Sequence, residues 1–429
     1  MKHRSVWLEG LSMPAAEPGP PPETADVAVI GGGITGLAAA LTLAQRRAKV
    51  VVLEAETIGW GASTRNAGMV LTGLKRGAQG LLARYGRERA IRMFRASLAA
   101  IDCVEDTVRR EAIACDFTRT GHLEVASKPR HFDDFRRSAD LLARDFHHSV
   151  TVVPKDALHR EIGSDAYHGA LVDEASAAVD PARYVGGLAR AAVRAGGLVF
   201  EGARVERIER SARSGTAGFG LTTTRGSIWT RDVFAATGGY TGPVTPALRS
   251  RIVPIGSYII ATEVLPPPQA EAAIPRHRMV FDSKHLLHYF RLTPDRRLLF
   301  GGRAAFFPET RHSTQTSAAM LRRDMLTIFP GMRDVNVDYA WGGTIDVPFD
   351  LVPHAGRIDG LHYAMAYAGH GVAMGTYLGR SMAHVMCGDT NENPFIDLAF
   401  PRAPLGLYNG RPWFLPLALG WYTLADWIN

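Results

Sequence analysis

Asp26-Val27-Ala28-Val29-Ile30-Gly31-Gly32-Gly33-Ile34-Thr35-Gly36 runs from an apolar, β-branched stretch through three consecutive glycines into the Ala/Leu-rich segment 34–46. A second apolar run, Lys49-Val50-Val51-Val52-Leu53, follows it. Neither run shows the polar alternation of a half-exposed strand, so both read as parallel strands buried on two faces, with 34–46 as the crossover helix between them. Strand, glycine turn, helix and strand within about thirty residues make a right-handed βαβ unit, the start of an α/β, Rossmann-like domain. Gly31, Gly33 and Gly36 satisfy G-x-G-x-x-G in the context that gives the pattern meaning. Gly31 permits the tight turn, Gly33 lets backbone approach a pyrophosphate, and Gly36 lets helix and strand pack closely. Ile34 and Thr35 belong to the helix N-terminus, which offers unpaired N–H groups and a partial positive charge. Glu54, with Ala55 beside it, stands about twenty residues beyond Gly33, where a carboxylate accepts hydrogen bonds from an adenosine ribose.

That pattern alone does not separate FAD from a nicotinamide cofactor. The next segment does, because Ile58-Gly59-Trp60-Gly61-Ala62-Ser63-Thr64-Arg65-Asn66-Ala67-Gly68 is a long loop of small residues where backbone can approach a flat ring. It resembles the flavin-contacting loop of the glycine oxidase, D-amino-acid oxidase and sarcosine oxidase superfamily of FAD enzymes, and most closely the gamma-glutamylputrescine oxidase-like branch. The resemblance implies FAD contacts from Gly61, Ala62, Ser63, Arg65, Asn66 and Ala67. It runs from Ser5-Val6-Trp7 to the tail. Arg204-Val205 matches a strand start beside the adenine, and Ala236-Thr237-Gly238-Gly239 matches a turn after a buried strand, which implicates Val205, Thr237 and Gly238. Asp350 to Gly356 and Ala368-Gly369-His370-Gly371-Val372 match the late segment in which a helix N-terminus faces the flavin pyrimidine oxygen; Gly343, Gly369, His370, Gly371 and Val372 complete the implied set. A positive helix end there stabilises negative charge on the flavin.

Sarcosine oxidase-like members attach FAD to a cysteine shortly before this late segment. Here the region reads Trp341-Gly342-Gly343-Thr344-Ile345-Asp346-Val347, so the FAD is expected to be non-covalent, and Cys387 is expected as a small buried hydrophobe of a later helix.

The resemblance puts the substrate over one flavin face beneath an antiparallel sheet, which directs attention to 257–262 and 288–291. Alternate strand residues share a face, so Tyr289 and Arg291 point together. Tyr258 and Tyr289 are expected to wall the pocket, and Arg303 to meet a carboxylate through its guanidinium. Packed sheet positions for the tyrosines and an ion pair for Arg303 stand as alternatives. His370 either touches the isoalloxazine or shapes its turn, and Lys284 is either a cation near the flavin or a solvated loop residue.

With 429 residues, 46% apolar and 21% charged, the chain is comfortable as two domains. The expected divisions are an extended arm over 1–23; a discontinuous FAD-binding domain over 24–112, 166–250 and 335–400; an interleaved antiparallel-sheet substrate domain over 113–165 and 251–334; and an aromatic tail over 401–429. A long helix is expected over 84–110, and another opening at Asp180-Pro181. The 49 Lys and Arg exceed the 42 Asp and Glu by a scattered +7 with no basic run, which argues against nucleic acid as a partner. Three cysteines without CxxC spacing, histidines without metal spacing and no visible signal peptide point to a cytoplasmic protein with free thiols and no metal. Segments 27–45 and 412–425 are uncharged but have the wrong texture or length to span a membrane.

The implied activity is oxidation of an amine or amino acid, a polyamine derivative or secondary amino acid, to an imine, with O2 as acceptor giving H2O2. The alternative is a quinone- or dye-linked dehydrogenase docked through the tail. The tail otherwise covers the chain's own FAD domain or a neighbouring subunit of a homo-oligomer.

Overall fold

Strand β1 (Thr24–Ile30), helix α1 (Ile34–Gln45) and strand β2 (Val50–Leu53) form the expected unit in the computed structural model. The structure describes residues 1–305, 310–390, 392–403, 408–415, 417, 420, 421 and 426, excluding the side chains of 303–305. β1 is the centre of an eight-stranded sheet. It pairs in parallel with β2 through Val27↔Val50 and with Gly226–Ala235 through Ile30↔Ala235. Leu198–Phe200 extends the β2 side and Leu361–Met365 and His354–Ile358 the other. Val205–Arg213 and Thr216–Thr223 fold back antiparallel on Gly226–Ala235.

α1 is buried from Ile34 to Ala44 because it is covered on several sides. The helix Gly371–Met386 lies close against it, and two of that helix's glycines make the approach possible: a Cβ on Gly375 would lie 2.8 Å from Thr35 Oγ1, and one on Gly379 2.4 Å from the Thr35 carbonyl oxygen. The helix predicted at Asp180-Pro181 spans Pro181–Arg194, and the Asp180 carboxylate caps it by accepting from the N–H groups of Ala182 and Arg183, both at 3.0 Å. The long helix spans Gly77–Arg110 with a break at Gly86 (φ 74°), and its Phe94, Ile101 and Val104 are buried.

A second eight-stranded sheet runs in the order Val337–Pro348, Ile252–Thr262, Leu298–Ala305, Tyr289–Leu292, Met279–Asp282, His122–Val125, Gly169–Asp173 and Thr151–Pro154. Its pairs are antiparallel except Met279–Asp282 with His122–Val125. One face packs on the helix Arg311–Ile328, where Leu321, Met325 and Ile328 join Ile260, Phe290, Phe300 and Val280 in one apolar cluster. The other face is turned to the nucleotide-binding half.

Two boundaries differ from expectation. Gly169–Asp173 and Val337–Pro348, assigned from sequence to the FAD-binding part, are strands of the second sheet. The first 23 residues are not wholly extended either. Val6–Leu8 forms a 3-10 turn that buries Trp7, whose indole Nε1 donates to the Asn66 carbonyl at 2.9 Å, while Ser5 Oγ donates to the Thr64 carbonyl at 2.8 Å. The arm thus clamps the small-residue loop.

Candidate active site

A cavity of about 2130 Å³ lies between the two sheets. Single-ligand pockets hold about 300–1,000 Å³, so this one has room for a dinucleotide and a substrate together. Twenty of the residues expected at the cofactor line it: Gly31, Gly33, Ile34, Thr35, Glu54, Ala55, Gly61, Ala62, Ser63, Arg65, Asn66, Ala67, Val205, Thr237, Gly238, Gly343, Gly369, His370, Gly371 and Val372. Gly36 does not. A Cβ there would stand 2.0 Å from the Gly31 carbonyl oxygen, so Gly36 serves the helix–strand contact.

The cradle suits a dinucleotide. Gly33, the N-cap of α1, has no side chain to satisfy the first-turn amides, and only Ile34 N–H finds a side chain, Ser63 Oγ at 3.0 Å. Gly31 holds φ 108° and packs against the carbonyl of Ala236, where a Cβ would lie at 2.8 Å. The Glu54 carboxylate accepts from Gly32 N–H at 2.6 Å and Glu56 N–H at 2.9 Å. Burial pushes its pKa up against those bonds.

Arg65 and Asn66 line the cavity while shaping its loop. Arg65 Nε donates to the Trp60 carbonyl at 2.8 Å and its Nη1 to the Gly342 carbonyl at 3.1 Å, with the guanidinium 4.8 Å from the Trp60 ring centre. Asn66 Nδ2 donates to the carbonyls of Ala62 and Ser63, both at 3.0 Å, and its Oδ1 accepts Gly68 N–H at 2.7 Å. Arg291, buried beneath, donates to the Gly68 carbonyl at 2.9 Å, and burial pulls its pKa down to about 10.

The late segment is strained and braced. Ala366 and Ala368 take left-handed φ values of 73° and 49°, costly for residues with a Cβ. Asp346 holds them: its carboxylate accepts Ala366 N–H at 2.5 Å and Tyr367 N–H at 3.2 Å, and its carbonyl accepts Ala368 N–H at 3.0 Å. The helix that follows is capped by His370, whose side chain makes no capping bond, and its first residues face the cavity. His370 Nδ1 is buried without a hydrogen-bond partner among the described residues, and burial drives its pKa down to about 4. A polar atom orphaned at an open helix N-terminus, the cradle and the cavity size together fit FAD.

The far end of the cavity is a chamber whose floor is the second sheet. Register sets it: Leu171 lies opposite Glu124, Glu124 opposite Phe281, and Phe281 opposite Tyr289, all on the cavity face. Tyr289 in turn sits over Gly301, where a Cβ would meet its ring at 2.3 Å, and its hydroxyl is 2.9 Å from Ser257 Oγ. Burial raises the Tyr289 pKa to about 12. Two residues further along the strands, His122 faces Asp173. Burial lowers the His122 pKa to about 4. Ser176 Oγ accepts Thr72 N–H at 3.0 Å and lies 2.8 Å from His122 Nδ1, a hydrogen bond that orients the ring.

Tyr258 is a correction. It points with Ile260 onto the helix-covered face, is 2% exposed and bonds Ser313 Oγ at 3.0 Å, so it is not a pocket wall. The Arg303 side chain lies outside the described residues. Lys284 lines the cavity but pairs with Asp282 at 3.4 Å. Cys387 is exposed, not buried, because its helix ends at Met386 and the thiol falls at the C-cap. The described part of the tail contacts the second-sheet half: the Asp426 carboxylate accepts the N–H groups of His285 at 2.8 Å and Leu286 at 3.0 Å. Lys75, His122 and Glu124 escaped sequence reasoning, although the alternation in His122-Leu123-Glu124-Val125 puts two ionisable groups on one strand face.

The model of the FAD dependent oxidoreductase family designated DAO matches residues 26–385. Probable oxidoreductase OrdL of Haemophilus influenzae is 34% identical over 396 residues, covering 91% of this chain and 88% of that protein. Gamma-glutamylputrescine oxidoreductase of Escherichia coli is 32% identical over 406 residues, covering 94% and 93%. Among solved structures, glycine oxidase from Geobacillus kaustophilus superposes with a TM-score of 0.74 at 22% identity, covering 89% of this chain and 99% of that one. With match, cradle and fold in agreement, the chain belongs to the DAO family of FAD-dependent oxidoreductases and is an enzyme of the amine and amino-acid oxidase type.

Proposed function

We propose that this enzyme oxidises the terminal amine of a polyamine derivative, with FAD held non-covalently and O2 as electron acceptor. The observation that carries this reading is the chamber floor, in which the Glu124 carboxylate lies between the apolar side chains of Leu171 and Phe281, an acidic contact for an ammonium flanked by surface for its alkyl chain. Similarity to the gamma-glutamylputrescine oxidoreductase along nearly the whole of both chains supports the same substrate class.

In the reaction the amine carbon loses two electrons and the C–N unit two protons, giving an imine that water hydrolyses to an aldehyde and ammonia. Bound FAD supplies the electron-pair acceptor, and O2 takes the pair onward as H2O2. The chain positions and desolvates. The cradle at α1 and the helix end at Gly371 fix the cofactor, so that the chamber holds the amine carbon against it. The His122 imidazole lines the chamber in its neutral form, and Tyr289 stays protonated beside Ser257. Anaerobic mixing with a panel of amines should bleach the yellow absorption of the bound flavin. Bleaching by hydroxy acids and by no amine would reject the reading.

A second acceptor, a membrane quinone, is favoured by one feature: Trp413 at the cavity mouth is 63% exposed, with Leu417 and Trp421 exposed to 75% and 67%. Oxygen uptake measured against reduction of a soluble quinone decides between them.

A further inference from the structure

Most ionised groups of the chamber are already matched. Asp173 accepts from Thr72 Oγ1 and His148 Nε2, both at 2.7 Å, and Asp282 is held by His288 at 3.1 Å and Lys284 at 3.4 Å. Two are not. Among the described residues, neither the Lys75 ammonium nor the Glu124 carboxylate has a hydrogen-bond or ion-pair partner, though each lines the cavity and each feels the other's charge. Burial disfavours the charge on both: it lowers the Lys75 pKa and raises that of Glu124 to about 7.

Lys75 is exposed and Glu124 half-buried where they line the open cavity, so FAD and substrate filling it would take both charges out of water, and a ligand that matches both offsets that cost. A free diamine cannot, because its second ammonium meets Lys75. A simple carboxylic acid cannot either, because it meets Glu124. An aminocarboxylate head matches both at once.

We infer that Lys75 and Glu124 form a charge-reading pair that selects amines carrying an aminocarboxylate group, with Glu124 taking the ammonium and Lys75 the carboxylate. This rests on the proposed amine oxidation and narrows its substrate. It sets the preference for an acylated, zwitterion-bearing amine over the bare diamine.

The test compares, on the FAD-loaded enzyme, γ-glutamylputrescine with its desamino analogue, its descarboxy analogue and putrescine. Removing either charge should lower kcat/KM about ten- to hundredfold, the range of one charged hydrogen bond. In Glu124→Gln the advantage over the desamino analogue should collapse toward unity while the advantage over the descarboxy analogue persists. Lys75→Met should do the reverse, and Lys75→Arg should restore the parent pattern. As a readout without turnover, γ-glutamylbutylamide, which has no terminal amine, should perturb the flavin spectrum of the parent and fail to do so in Glu124→Gln at the same concentration. Should a variant not retain FAD, the four-substrate series on the parent decides. Equal kcat/KM for all four, or an equal loss on all four in both variants, overturns the pairing and leaves amine oxidation standing. Bleaching by none of the four or any other amine overturns the function itself.

Discussion

Thr35 Oγ1, on the first turn of α1, lies 2.9 Å from the hydroxyl of Tyr367, 332 residues along the chain. The bond ties the opening cradle to the braced segment ahead of the last long helix, so the two cofactor-facing helix ends are mechanically one unit. Tyr367→Phe should lower stability by about 1 kcal/mol, the worth of one buried hydrogen bond. It should also weaken FAD retention, and urea unfolding with a flavin titration of apoprotein checks both.

Gly36→Ala should do far more damage than its single methyl suggests. The new Cβ would lie 2.0 Å from the Gly31 carbonyl oxygen, a backbone atom that cannot swing aside. Loss of bound flavin together with a large drop in thermal midpoint is expected. Glu54→Gln is the milder counterpart: it keeps the volume but replaces one acceptor oxygen that serves Gly32 or Glu56. Its flavin affinity should fall about tenfold, read by fluorescence quenching, with the far-ultraviolet circular dichroism unchanged.

Tyr289 and Tyr258 should separate cleanly. Tyr289→Phe removes a hydroxyl from the chamber and strands Ser257 Oγ, so kcat/KM for the amine should drop about tenfold with full flavin content. Tyr258→Phe breaks only its contact with Ser313 on the opposite face, so turnover should persist and stability should fall by about 1 kcal/mol. Equal kinetic losses in the two variants would contradict the assignment of faces.

Asp346 gives a pH signature of known sign. Burial raises its pKa from 3.8 to about 6 despite the amide bonds it accepts. A carboxyl whose folded pKa lies above the unfolded one favours the fold while protonated. That contribution is complete below 3.8 and is lost as pH rises through about 6. Asp346→Asn does not titrate, so its deficit in thermal midpoint relative to the parent should be largest near pH 4 and shrink toward pH 7. A deficit independent of pH would show that the carboxyl is not perturbed.

Acid precipitation should release all yellow colour to the supernatant, in the parent and in Cys387→Ser alike, because none of Cys103, Cys115 and Cys387 lines the cavity. Colour in the pellet would overturn non-covalent binding.

The cradle was legible because its logic is local: glycine spacing, a strand on either side and an acid at the strand end all lie within 26–54. The Asp180 cap was legible for the same reason. The chamber was not, because its residues meet through pairing of remote strands. Glu124 comes to Phe281 through a parallel register that no short window contains, and Lys75 arrives from the loop ahead of the long helix. Tyr258 misled because alternation says which residues share a face but not which face is covered; the helix Arg311–Ile328 decides that. The strands at 169–173 and 337–348 were misassigned because chain order follows one half of the molecule while hydrogen bonding follows the other.

The backbone shuttles between the two sheets, from β1 and β2 to His122–Val125, back to Leu198–Phe200, out again at Ile252–Thr262 and home at His354–Ile358. No single scission therefore yields two self-sufficient halves, and during synthesis on the ribosome the cofactor's binding groove stays unfinished until residues near 372 have emerged. Flavin capture is then among the last steps of maturation, and nascent chains halted at residue 360 should emerge colourless even when riboflavin-derived cofactor is abundant.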